Sequence, residues 1–385
     1  MKKYLKATIE EQINRGLILK KMIPYPLKYH ELSKLSEGCE RIIDENIRYL
    51  RYLIQEIETD TPNFRYILRE FRTSTRNIEL VESFGISALY YQTPELGYFN
   101  KLIFKINQEI KLPISPPSVA CISTNYYYFH PFTDVIFVPL GESEFLLHLP
   151  DLFHEIAHAV ISKREDNLKL KELNEKYKEI ISIITKHYQK LITEKIRVSG
   201  PEEIKIIIQH IHQQWKNYWI DEFLSDLFAL YTLGPAFARA HLHLVTKKSK
   251  NIFAFSAILP QTHPSDDSRM KMLLIGLNIL GLKKEAEVIQ SKWKEMPFAD
   301  VSRPIQEYQY AYPEDLMKNI ASLFLDGLKK SNFKIYTSGK NEEGNQNNIV
   351  KLLNEAWEYF WENPDEFRKW EEKKIEELKR YYLSI

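Results

Sequence analysis

Cysteine and glycine are both scarce in this chain. Its 385 residues include two cysteines, Cys39 and Cys121, and 12 glycines. Two thiols are too few for a disulfide scaffold. A single bridge between them is compatible with the sequence, and two reduced thiols in a cytosol are the simpler reading. With little glycine and abundant Glu, Lys, Leu and Ile, helix is expected to dominate. The chain also lacks a charge of one sign: its formal net charge is +1, which removes the electrostatic case for nucleic acid. No run reaches the roughly 18 apolar residues that span a bilayer. The stretch from Leu273 to Leu282 is too short and is interrupted by Asn278. Met1-Lys2-Lys3-Tyr4-Leu5-Lys6 leads into Glu10-Glu11-Gln12 with no apolar region between, so no secretory signal is expected. These absences set the expected location as cytoplasmic, with no membrane span. Hydrophobic residues make up 44% of the chain, ample for a core, in two or three domains or one elaborated catalytic domain.

The chain does contain His154-Glu155-Ile156-Ala157-His158, an H-E-x-x-H motif inside the apolar run Leu152 to Val160. On an α-helix, residues four apart project from nearly the same side, one turn apart. Two imidazoles so placed can hold one metal ion, with Glu155 nearby to reach a coordinated water. Zinc suits such a site because it takes two nitrogens and one carboxylate in a tetrahedron and leaves a fourth position open. The motif alone recurs by chance, so a third ligand is needed. Glu222 and Asp226 stand one turn apart in the otherwise apolar segment Trp219 to Tyr231. Two carboxylates there are costly to bury unless paired or bound to metal. Glu222 as ligand and Asp226 as acceptor for the far nitrogen of a ligating histidine resolve that cost. Asp226 is assigned to His154, with His158 as the alternative.

A third element follows: Thr262-His263-Pro264-Ser265-Asp266-Asp267-Ser268-Arg269. H-E-x-x-H, then E-x-x-x-D, then H-P-S-x-x-x-R, in that order, resembles the M48 clan of zinc metallopeptidases, which are gluzincins. The resemblance covers about residues 134 to 285. It implies a helical zincin-like core with one zinc ion on His154, His158 and Glu222, and Glu155 as general base. It also implies that His263 and Arg269 sit beside the cleft and help hold substrate or the tetrahedral intermediate. Read from the residues alone, His263 is equally a turn residue ahead of a helix that starts near Pro264, and Arg269 is equally a structural ion-pair partner. Many members of that clan are membrane-embedded or exported; this chain departs from them in lacking a span.

The expected function is a zinc-dependent metalloendopeptidase acting on protein or peptide substrates. Two alternatives stand beside it: a zinc-containing helical regulatory protein without turnover, and a zinc hydrolase of a non-peptide amide. Ahead of the motif, Val135, Ile136 and Phe137 lie in a short β-branched and aromatic strand. In gluzincins an edge strand at this position pairs with extended substrate; an ordinary core strand fits the residues equally well. His130 and His148 lack ligand spacing. His210/His212 and His241/His243 lie in helical-looking sequence, where positions two apart diverge, so neither pair makes a good metal clamp.

The expected architecture is mainly α (α+β), with a small β-sheet and helical flanks. Residues 1–112 form a helical N-terminal region, and 113–285 the metallopeptidase core with a helical insertion at about 163–215. Residues 286–385 form a helical C-terminal region. Amphipathic patterns run through Ile43, Ile47, Leu50, Leu53 and Ile54, and through Leu173, Tyr177, Ile180, Ile184 and Tyr188. A break is expected at Ser199-Gly200-Pro201 and a loop at 338–348. The aromatic tail helix around Trp357, Phe360, Trp361, Phe367 and Trp370 is expected to pack on the body.

Overall fold

The computed structural model describes residues 2–122, 126–197, 202–248, 251–256, 259–296, 303–337 and 348–383. The expected break at 199–201 and most of the expected loop at 338–348 lie outside the described residues. The chain is mainly α, with one small three-stranded sheet. It divides into two compact units: Met1–Ile103, Pro117–Ser143 and Lys379–Ile385 in the first, Phe104–Pro116 and Glu144–Leu378 in the second. This grouping differs from three consecutive regions, because the sheet belongs with the N-terminal helices and the C-terminal helices belong with the metal motif. Among the described residues no helix is long and apolar enough to cross a membrane.

In the first unit, α1 (Lys2–Met22) and α3 (Phe64–Leu80) pack on α2 (Ser33–Glu58). The packing follows from the α2 pattern: Leu35, Cys39, Ile43, Ile47, Leu50, Leu53 and Ile57 recur every three or four residues and all are buried. A π turn at Val81–Ile86 leads from α3 into the short α4 (Ser87–Tyr90), and α5 (Pro94–Ile110) follows. Cys39 and Cys121 are buried free thiols. Burial pushes the Cys39 thiol up to about 12.

The sheet has the order β1 (Ser118–Cys121), β3 (Val135–Val138), β2 (Tyr128–His130). β3 pairs parallel with β1 and antiparallel with β2. Val135, Ile136 and Phe137 are therefore in the middle strand and are buried. Both sides of its backbone are already paired, so the expectation that this strand receives substrate at a free edge is corrected: it is a core strand. The outer side of β1 is closed at Val119 by Asn100, whose amide accepts from Val119 N–H and donates to Val119 O, each at 2.9 Å. His130 is likewise structural: it stacks on Phe84 with ring centres 4.1 Å apart and meets the Thr133 hydroxyl at 2.9 Å.

The second unit is built on α6 (Asp151–Ser162) packed against α9 (Ile220–Leu233). Between them in sequence, α7 (Lys171–Arg197) and α8 (Glu202–Gln214) form a helical hairpin. The five apolar positions read along α7, from Leu173 to Tyr188, are all buried, and α7 docks on α14 (Glu314–Lys330). The insertion is thus packed through one face. Tyr188 donates to Ala311 O at 3.1 Å, and Trp215 Nε1 donates to the same carbonyl at 2.7 Å.

Around this pair lie α10 (Pro235–Lys248), α11 (Asp266–Ile279), α12 (Lys283–Glu295), the one-turn α13 (Tyr308–Ala311), α15 (Ile349–Glu362) and α16 (Pro364–Leu383). The turn from α9 to α10 needs Gly234: its φ is +83°, and an added Cβ would lie 2.5 Å from the Tyr336 ring. Asn354 on α15 fastens that turn, donating to Leu233 O and accepting from Ala236 N–H. Trp357 and Phe367 of the tail are buried, so its aromatic helices pack on the second unit.

Candidate metal centre

α6 is apolar almost all round, and a helix of that composition is buried on every side. Pro150 and Asp151 start it, and Leu152, Phe153, Ile156, Ala157, Ala159 and Val160 are each completely buried. This fixes the helix rigidly and leaves His154 and His158 to project one turn apart. His154 is 8% exposed and Glu155 6% exposed; His158 is half-buried. Opposite stands α9, on which every residue but Asp221 is buried. A π turn, Trp215–Trp219, precedes α9 directly. Asp221 accepts from the Tyr177 hydroxyl at 2.8 Å, which ties α9 to α7 beside Glu222.

The two helices bring three ligand-type side chains together. His154 Nε2 and His158 Nε2 are 3.1 Å apart. Glu222 Oε2 lies 3.5 Å from His154 Nε2, and Glu222 Oε1 lies 3.4 Å from His158 Nε2. Among the described residues this is the one group of three that can hold a metal ion. The donor set fits: ligands about 2.1 Å from a tetrahedral zinc stand about 3.4 Å apart. Glu222 Oε2 is also buried, with only the long 3.5 Å approach of His154 Nε2 to satisfy it, a costly state for a carboxylate oxygen that a cation relieves.

Behind the ligands, Asp226 Oδ1 lies 3.0 Å from His154 Nδ1, so His154 rather than His158 has the carboxylate beside it. Arg269 on α11 takes the other side of Asp226: Nε donates to Oδ2 at 2.8 Å and Nη2 donates to Oδ1 at 2.6 Å. Phe237 of α10 stacks on the His154 ring at 5.9 Å. Burial by itself would raise Glu222 and Asp226. The His154 and His158 hydrogen bonds instead hold Glu222 well below the usual carboxylate range, and Arg269 with His154 does the same for Asp226. For His154, burial lowers the pKa, but hydrogen bonds to Asp226 and Glu222 outweigh it and raise the ring to about 10. Both carboxylates, Glu222 and Asp226, stand on α9 and face the histidines of α6 from that one helix.

His263 comes to the rim of this cluster. Its Nε2 is 3.8 Å from Glu222 Oε1 and its side chain is 63% exposed. The turn that carries it is anchored two residues later. Ser265 caps α11, its Oγ accepting from Ser268 N–H at 3.2 Å. Ser265 N–H donates to the Tyr312 hydroxyl, and Ser265 Oγ meets the Tyr308 hydroxyl at 2.8 Å. Both readings of the H-P-S segment thus apply, to residues two apart: Ser265 starts a helix, and His263 faces Glu222 of the His154–His158–Glu222 group. Tyr308 and Tyr312 brace the turn through Ser265. Phe237, Tyr308, Tyr312 and the buried Gln214 carry no motif, and their place at the site comes only from the fold.

His241 and His243 lie on α10. His241 Nε2 is 3.2 Å from Asp266 O, and His243 packs on Trp357 and Phe360. No family model, curated protein or solved structure matches this chain.

Proposed function

We propose that this chain is a zinc-dependent metalloendopeptidase of the M48-like kind. The observation that carries the reading is the convergence of His154, His158 and Glu222, with Glu155 between the two histidines and the Asp226–Arg269 pair behind His154. The order of the three sequence motifs supports it independently. His154, His158 and Glu222 would hold the zinc ion, which when bound would supply a Lewis acid and make water more acidic. Glu155 takes the proton of the attacking water and passes it to the leaving amine. Asp226 holds His154 in the tautomer that presents Nε2 to the ligand group, and Arg269 keeps Asp226 ionised. The Thr262 hydroxyl lies 2.9 Å from His263 Nδ1. When it donates there, Nε2 carries the proton and donates to the substrate carbonyl oxygen as charge develops, a contact worth about 3 kcal/mol.

The deciding experiment measures bound metal in the purified protein and in Glu155→Gln, then incubates both with unfolded and folded proteins. One equivalent of zinc with cleavage by wild type alone supports the reading. Zinc without cleavage rejects general peptidase activity and favours a non-peptide amide or a site without turnover. No zinc after supplementation removes the metal centre.

A further inference from the structure

We propose that Gln214 is a positioning residue that fixes His263 beside the metal-ligand cluster; the inference rests on the peptidase reading above. Residues 259–263 belong to no helix or strand, so no backbone ladder holds them in place. Side chains of one helical column do so instead. Gln214, 1% exposed at the end of α8, donates from Nε2 to Leu259 O at 2.8 Å and accepts at Oε1 from Gln261 N–H at 3.1 Å. Five residues on, Trp219 Nε1 donates to Gln261 O at 3.0 Å. Three further on, Glu222 faces His263. The segment therefore runs alongside the helical column, gripped at Leu259 and Gln261, and reaches Glu222 at His263.

The π turn makes this alignment work. A single π turn uses one residue more than an α turn. Gln214 and Glu222, eight apart in sequence, then stand as positions seven apart would, on one face. Gln214 has no apolar reason to be buried. A buried amide is unfavourable unless hydrogen-bonded, and here both ends are satisfied by the segment. His210, from the first H-x-H pair, completes the contact: its Nε2 lies 3.1 Å from Gln214 Nε2 and 3.3 Å from Leu259 O. Gln261 closes the loop on itself, accepting from Ser256 N–H and donating to Ala254 O. With Ser265 held by Tyr308 and Tyr312, His263 is suspended between two anchors, and Gln214 is the one on the Glu222 side.

The test compares wild type, Gln214→Leu, Trp219→Phe, His263→Ala and the Gln214→Leu/His263→Ala double variant, all zinc-loaded. Bound zinc, kcat and KM on a protein substrate cleaved by wild type, and the NMR signals of the His263 ring are measured. The expected result is full zinc occupancy in Gln214→Leu, a fall in kcat of about tenfold or more, and a KM within about threefold. The double variant should be no slower than His263→Ala, and the His263 signals should shift or broaden. Trp219→Phe should show the same pattern more weakly, and it serves if Gln214→Leu does not fold. Independent losses in the double variant, or unchanged His263 signals, would overturn the proposal. If wild type binds zinc but cleaves nothing, the peptidase reading fails, and the His263 signals alone decide whether Gln214 positions that ring.

Discussion

Arg269 closes on Asp226 with two prongs, at 2.8 and 2.6 Å, and Asp226 is the group beside His154 Nδ1. The contact joins α11 to α9 beneath the histidine of α6. Asp226 is completely buried, so its charge depends on this partner. Arg269→Met leaves the buried carboxylate with His154 as its one remaining partner, and breaking a buried pair in this way costs about 3–5 kcal/mol. Arg269→Lys restores the charge but not the fork, and should recover only part of it. Denaturant unfolding of the three proteins checks this. A loss below about 1 kcal/mol in Arg269→Met would mean that Asp226 does not rely on the pair. Zinc affinity should fall with it, by about 10–100-fold, because the residue behind the ligand is no longer held.

Metal removal should be visible in stability. A ligand bound only by the folded protein adds about 2.7 kcal/mol at a hundred times its Kd. Chelation should therefore lower the melting temperature of wild type, and added zinc should restore it. His154→Ala and Glu222→Gln each remove one of three ligands and should melt at the same temperature with or without chelator. A chelator response in either variant would place the zinc somewhere other than this cluster.

The base role proposed for Glu155 can be tested apart from metal binding. This residue is not one of the three converging ligands, so Glu155→Gln should retain one zinc while turnover falls by at least about 100-fold, the usual lower bound for a proton-transfer group. Residual cleavage near the wild-type rate would remove Glu155 from the mechanism and leave the metal site intact.

The parts of this site that sequence revealed are those set by local periodicity. His154 and His158 share a helical face, Glu222 and Asp226 share another, and the α7 stripe from Leu173 to Tyr188 is buried throughout. A helix repeats on itself, so its faces can be counted from neighbouring residues. The contact of Arg269 with Asp226 spans two helices, and sequence left Arg269 equally a cleft residue and an ion-pair partner. β3 shows a different limit. Val135-Ile136-Phe137-Val138 is apolar at every position, the pattern of a strand covered on both faces, and its central place in the sheet agrees with that. Pattern carries face burial but not strand order, so the edge reading failed. Gln214 was invisible for a third reason: it follows His212 and Gln213 in a polar stretch, which normally marks the solvated side of a helix. Only the π turn and the loop against it explain why this one is buried.

His243 should make stability pH-dependent in a defined window. It packs against Trp357 and Phe360, and the groups facing it are Lys247 and His148. Burial first, then those two neighbours, push its pKa from 6.5 down to about 4. In the unfolded chain the ring takes up a proton below 6.5, while in the folded protein it stays neutral until about 4. The unfolded state therefore binds more protons across that interval, and stability falls as the pH is lowered through it. The contribution is fully present above 6.5 and is lost progressively toward 4. His243→Leu removes this response but leaves the metal cluster and the other histidines in place. Denaturant unfolding of wild type and variant at pH 7, 5.5 and 4.5 should show wild type losing more on acidification, so the difference between the two moves steadily in favour of the variant. A constant difference across those three values would mean that His243 is protonated in the folded protein as readily as in the unfolded one.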